Sequence, residues 1–290
     1  MDNAPGAIGL TLLMLVMCTP LYAHQPVMDM APRWNNGYGF QIRHEYRYSD
    51  DLIEKNDKLS NPLSLERKIH TTWLEGVYTF DRSRRVTIKI PWVDKARTTS
   101  IGGIAVKQTD RGLGDIILAV PLKYYRNKAS STDNFGFTPS LRVPSGKTGG
   151  DYPIGDGSWD AGISLSYSNE SPDFYQFYDL FYWFNTEGDR DQEEGDQLGL
   201  DINWGIHPYH NNDTNAGMFL MFDVTTRYKD EGFKISGNNA GTRVSVGPAL
   251  VLYQGNTMFR AEYKFPVYEY ALEQQVSYGN ELNIGIGFTF

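Results

Sequence analysis

A two-residue alternation constrains this chain more than any other feature. In the stretch "GYGFQIRHEYRYSD", residues 37 to 50, every second residue gives Tyr38, Phe40, Ile42, His44, Tyr46 and Tyr48, and between them stand Gly39, Gln41, Arg43, Glu45 and Arg47. Strict period two makes a β-strand with two unlike faces. In a soluble sandwich the greasy face would be the core and the charged face would meet water. In an outer-membrane barrel the greasy face meets lipid and the charged face lines the lumen. One strand fits both, so the recurrence of the pattern has to decide.

It recurs along the whole chain. Over 68–80, Leu74, Gly76, Tyr78 and Phe80 share a face, with Trp73 on the other. After a tight "DRSR" turn, Val86, Ile88, Ile90 and Trp92 alternate with Arg85, Thr87 and Lys89. Ile116, Leu118, Val120, Leu122 and Tyr124 follow, then Phe135, Phe137, Leu141 and Val143, then Ala161, Ile163, Leu165 and Tyr167. The segment "FYQFYDLFYWF", 174–184, is aromatic on both faces and has no legible orientation. Clean alternation resumes at Leu198–Ile206, Met218–Tyr228, Val244–Leu252, Phe259–Val267 and Leu282–Phe290. This predicts about twelve strands, each long enough to cross a membrane at a tilt. The connections are expected to alternate, with 49–67 and 94–112 long and 81–84, 126–134 and the "QGN" turn at 254 short. Short periplasmic turns opposite long extracellular loops belong to an outer-membrane barrel, and an even strand count returns both termini to the periplasm. A sandwich has no reason to sort its loops.

The fold expected is therefore all-β, a transmembrane antiparallel barrel over residues 37–290. Aromatics near strand ends (Tyr38, Tyr46, Tyr48, Trp92, Tyr124, Tyr167, Trp204, Tyr228 and Tyr268) read as girdles at headgroup level. A mean hydropathy of -0.45 does not oppose this, because lumen and loops offset the lipid face. The net charge of -8 argues against nucleic acid as a partner. The partners expected are the lipid bilayer with its lipopolysaccharide, the barrel-assembly machinery and a small-molecule solute.

The apolar run "AIGLTLLMLVMC" is too short to span a bilayer as a helix and fits a signal-peptide core, with Ala23 at the cleavage position. Asp2 and the lack of Lys or Arg before it are atypical. Residues 1–23 are thus read as a signal peptide and 24–36 as a short periplasmic tail. The single cysteine, Cys18, lies inside that run, so the mature chain has no disulfide framework or thiolate metal site. No cofactor and no metal are expected.

The terminal "NELNIGIGFTF" resembles the signature by which outer-membrane barrels are recognised for assembly, with Phe288 and Phe290 as its aromatics. "RGLGDIILAVPLKYY" from 111, "PSLRVPSGKTGG" from 139 and "GDGSWDAGISLSYS" from 155 together resemble the outer-membrane family named for the meta-pathway of phenol degradation. Ser145 stands where the family pattern calls for threonine. The resemblance implies a channel or transporter for passive uptake of small, aromatic or hydrophobic solutes.

The lumen-lining residues expected from register are Arg43, Glu45, Arg47, Lys89, Asp115, Arg142, Asp160, Asp201, Asp223, Arg243, Arg260, Glu262, Lys264 and Glu281. Charges facing a narrow lumen are partly desolvated and are expected to pair across strands. An acidic-sugar porin would instead show walls dominated by arginine, and a lumen closed by its own ion pairs would make a structural or adhesive barrel. Gly112-Leu113-Gly114-Asp115 reads as a loop-to-strand entry. "VPSGKTGG" lacks the spacing of a phosphate loop and reads as an extracellular loop with room to fold into the pore. The acidic loop 185–196 reads as solvated rather than calcium-binding, and "HPYH" at 207–210 as a polar turn. No enzymatic activity is expected. A lipid-facing hydrolase needs Ser and His together, and no serine alternates beside His44, the lipid-face histidine of clean register.

Overall fold

The structure, a computed structural model, describes residues 30–32, 34–233 and 240–290, apart from the side chain at 190. The expected signal peptide, its cleavage site and Cys18 lie outside these residues. The strands in chain order are β1 (Gly37–Ser49), β2 (Leu52–Lys55), β3 (Asp57–Leu59), β4 (Glu66–Asp81), β5 (Arg84–Ile101), β6 (Ile104–Leu113), β7 (Ile116–Ala119) and β8 (Leu122–Asn127). They continue as β9 (Thr132–Val143), β10 (Asp160–Glu170), β11 (Phe174–Phe184), β12 (Gln197–Asn211), β13 (Ala216–Lys229), β14 (Gly241–Gln254), β15 (Thr257–Val276) and β16 (Asn280–Thr289).

They form one closed antiparallel barrel of 12 staves. β6, β7 and β8 are a single interrupted stave, since all three pair with β5. The breaks fall at Gly114-Asp115 and at Val120-Pro121, where Pro121 has no N–H to give to a ladder. β2 and β3 form a small hairpin leaning on the far end of β15. Closure comes from β1 against β16, in register from Gly39↔Thr289 to Tyr48↔Asn280. Tyr38 and Phe290 exchange backbone hydrogen bonds of 2.7 and 2.8 Å at the seam. No stave is left with a free edge, the condition for backbone to survive in hydrocarbon.

Connections sort by end. Residues 82–83, 128–131, 171–173, 212–215 and 255–256 turn tightly at the end that holds the start of β1 and Phe290. The opposite, loop end carries 50–65, 144–159, 185–196, the described residues 230–233 and 240, and the short 277–279. One expectation is corrected: most of 94–112 is ladder, not loop. β5 and β6 run on as a hairpin fin closed by Gly102 and Gly103, at φ 59° and 81°. Two consecutive left-handed residues make the hairpin turn whose twist matches the strands.

The faces separate by solvent. Trp92 (55 % exposed), Leu165, Ile206, Phe222, Ile284 and Phe290 stand on the outer wall. A belt of this kind stays out of water only in a bilayer, where each such side chain recovers about 1.5–3 kcal/mol. Tyr38 packs against Tyr78 and Phe290 at the turn end, and Tyr182 against Phe184 at the loop end. Beyond Trp92 the fin's outer face turns polar, with Asp94 opposite Arg111.

Three local readings resolve differently from the sequence. β11 turns Phe174, Leu180 and Phe184 outward, while Phe177, Phe181 and Trp183 point inward. β15 shifts register after Ser245↔Pro266, so Val267 and Tyr268 both face out and Glu269 returns to the lumen. "HPYH" is not a turn: β12 continues through it across an irregularity between Ile206 and Tyr209.

Candidate functional site

The barrel encloses a cavity of about 1550 Å³. Its wall is built by alternation: each inward position of a stave is followed by an outward one, so polar side chains converge from every stave. Arg43 Nη2 lies 3.1 Å from Glu75, and Arg47 Nε lies 3.2 Å from Glu281, its direct partner across the seam. Both arginines also reach Glu45. Arg227 grips Asp201 through two bonds of 2.7 and 3.0 Å, the fork geometry that favours arginine. Lys264 Nζ lies 2.5 Å from Glu262. Lys89 lines the cavity opposite Glu75.

Three expected lumen residues lie in the wall instead of at the open cavity. Asp160, 1 % exposed, binds Arg142 at 3.0 Å, its direct ladder partner, and accepts from Ser158 and Thr186. Asp223 is fully buried, takes Arg260 at 2.8 Å and binds Asn203. Arg260 also reaches Glu262 at 3.4 Å. Asp115 accepts from the Gly146 N–H at 2.8 Å and so fastens loop 144–159. Such pairs hold because both members are satisfied; removing one partner of a buried pair costs about 3–5 kcal/mol.

Cations also stack on inward aromatics. Arg43 lies over Trp73, Arg142 over Trp183 and Arg227 over Phe181, at 5.4, 4.5 and 4.6 Å from the ring centres. These rings give a polar lumen flat apolar surfaces. Period two already places Trp73 and Glu75 inward with Arg67 and Ile69, and it places Lys95 and Arg97 inward once the fin is read as ladder. The two glycines at 102–103 between alternating flanks were the signal for that. Tyr152 and Tyr278 sit in connections, where no periodicity announces them.

At the loop end, residues 148 and 150–156 fold over the cavity and line it. Ser145 Oγ donates to the Gly114 carbonyl at 3.1 Å and accepts from the Ile116 N–H at 2.9 Å. Lys147 binds Asp110 on the fin, and Lys95 donates to the Pro153 carbonyl at 2.5 Å.

At the turn end the cavity stops at an apolar plug. Met30 joins Tyr175, Phe219, Met221, Val251, Tyr253 and Met258 in one buried cluster. Ala31 and Pro32 are buried beside it, and Thr79 donates to the Pro32 carbonyl at 3.0 Å. Residues 30–32 of the segment expected as a tail thus pack inside the barrel. His207 and His210 close on the Tyr253 hydroxyl at 3.0 and 2.9 Å, and His207 stacks on Phe219. In loop 185–196, Glu194 binds Lys229 at 2.9 Å and Asp196 accepts from Tyr182 at 2.7 Å. Among the described residues, no three His, Cys, Asp or Glu groups gather as ligands for a metal ion.

On the outer wall, His44 lies across from Thr72, 3.0 Å from its hydroxyl, and His70 stands 3.4 Å beyond. The backbone N–H groups around this chain belong to the β1–β4 ladder.

The sequence matches the family described as "Putative MetA-pathway of phenol degradation" over residues 58–279. No curated protein matches. Among solved structures, an outer membrane channel from Pseudomonas putida F1 superposes with a TM-score of 0.69 at 14% identity, covering 90% of this chain and 97% of that one. The β domain of the Bordetella autotransporter BrkA gives 0.46 at 10%, covering 88% and 100%. The likeness to the Pseudomonas putida channel bears on the fold, and the family match, the apolar belt and the closed ladder make this an outer-membrane barrel.

Proposed function

The chain belongs to the MetA-pathway phenol-degradation family, which covers residues 58–279, and from that premise we propose that it is a channel for passive uptake of small aromatic or hydrophobic solutes across the outer membrane. The observation that carries the reading is the cavity itself: a closed barrel wall around about 1550 Å³, polar but near charge balance, with aromatic faces turned inward. Arg43, Glu45, Arg47, Lys89, Arg142, Asp201, Arg243, Arg260, Glu262, Lys264 and Glu281 are the residues we assign to the solute path, with Asp115, Asp160 and Asp223 holding its wall. An acidic-sugar porin fits less well, because most of these arginines are already paired with carboxylates.

The turn end, with the plug and both ends of the barrel sequence, is read as periplasmic and the loop end as extracellular, where lipopolysaccharide would surround it. Assembly would run through the barrel-assembly machinery on the signal of β16. Paired charges and the plug lead to a low conductance with weak ion selectivity. Planar-bilayer recording of the purified protein, with liposome uptake of phenol, tests the reading. Strong anion selectivity would favour the acidic-sugar alternative, and the absence of both current and uptake would leave a structural barrel.

A further inference from the structure

Most cations of the lumen have a carboxylate, but one group at the loop end does not. Among the described residues, Arg67, Lys95, Arg97 and Arg243 form no ion pair. Arg67 donates to the Ser277 carbonyl at 2.8 Å, Lys95 to that of Pro153, and Arg97 to the Gln108 side chain at 2.7 Å. Arg243 Nε is buried without a hydrogen-bond partner. Glu269, the carboxylate facing Arg243 in the ladder, is turned away to the Ser277 hydroxyl and the Tyr278 N–H.

The arrangement is costly as it stands. Arg67 and Arg97 are direct partners across β4 and β5, and like charges directly opposite destabilise a sheet. Two tyrosines compensate in part. Arg67 and Arg243 lie 5.8 and 3.0 Å from the Tyr278 ring, and Lys95 and Arg97 lie 4.0 and 4.4 Å from the Tyr152 ring. All six side chains line the cavity, and Ile69 and Ile154, each two residues along the chain from one of them, line it too.

We infer that Arg67, Lys95, Arg97 and Arg243, framed by Tyr152 and Tyr278, form a binding station at the loop end of the lumen for the carboxylate of a small organic acid with an apolar body. Guanidinium forks match a carboxylate in two parallel bonds, and the anion supplies the charge these residues lack. Ile69 and Ile154 offer the apolar contact. The inference deepens the channel reading and rests on it for the passage of solute, though not for binding.

Binding is measured by calorimetry on the full-length protein folded in detergent, with benzoate, benzyl alcohol and inorganic phosphate as probes. Benzoate is expected to bind at least about tenfold more tightly than benzyl alcohol, and Arg67→Gln/Arg243→Gln to lose that advantage. Arg243→Lys, which keeps the charge and loses the fork, retains part of it. Relief of the like-charge pair should leave Arg67→Gln melting no lower than the parent protein, whereas a merely structural arginine would melt lower when replaced. Equal binding of benzoate and benzyl alcohol, or an unaltered preference in the double variant, overturns the station. Phosphate binding as tightly as benzoate overturns the organic-acid assignment. Liposome flux is read separately: benzoate binding without flux sustains the station and defeats the channel.

Discussion

A Cβ placed on Gly39 would lie 1.6 Å from the Met30 carbonyl oxygen. The plug therefore rests on missing side chains in β1, Gly37 beside Pro32 and Gly39 beside Met30, and at Gly39 the contact is with backbone, which cannot rotate aside. Gly39→Ala is expected to expel residues 30–32 from the turn end and leave the β1 ladder intact, because the backbone at 39 is extended and alanine can adopt it. Single-channel conductance should then rise severalfold over the parent protein; an unchanged conductance would show that Met30 does not close the path. Ser145 illustrates the opposite case. Its hydrogen bonds to Gly114 and Ile116 use only the hydroxyl, which threonine shares, so this departure from the family pattern leaves the Gly114–Ile116 junction bonded.

Among the elements, β16 carries the clearest consequence. Ile286, Phe288 and Phe290 face lipid on the stave that closes the barrel, and Phe290 seals the seam through its backbone. Phe290→Ser should keep those backbone bonds but lower the yield of heat-modifiable folded barrel without altering export. Undiminished folded barrel would argue against an assembly role. The fin and loop 144–159 are joined by Lys147 on Asp110. That bond, with the Arg111 N–H, holds the Asp110 carboxyl below its usual carboxylate range. A carboxyl depressed in the folded state contributes above its unfolded value, about 3.9, and loses the contribution as pH falls through the folded value. Hydrogen exchange over 147–155, corrected for intrinsic rates, should stay slow from about pH 7 to 5 and quicken below about pH 4. Asp110→Asn should exchange fast throughout. Slow exchange in that variant would place the fastening elsewhere.

For the whole molecule, sorting of connections by length implies a direction in the membrane. A cysteine at Asp191, on the loop end, should be labelled on intact cells by an impermeant reagent, and one at Asn256, on the turn end, only after the outer membrane is permeabilised. The reverse pattern would invert the orientation proposed for the channel. The same axis separates the two ends of the cavity: the cationic station sits at the loop end and the apolar plug at the turn end.

Recurring alternation together with the sorting of connections pointed to the barrel class and about twelve staves, and alternation told which residues from Arg43 to Glu281 share a face, because the side-chain period of a strand is two whatever it pairs with. It could not orient β11, where both faces are aromatic, and only the neighbouring β10 and β12 registers turn Phe181 and Trp183 inward. Nor could it foresee the bulge near Val267, one residue that reverses parity and brings Glu269 into the lumen. Burial depth was also illegible: Asp160 and Asp223 share a face with Asp201, yet their pairing over short distances in the wall removes them from the open cavity. Met30, Tyr152 and Tyr278 belong to segments without periodicity. Their place inside the barrel depends on contacts with residues distant in the chain, and such contacts leave no local pattern to read.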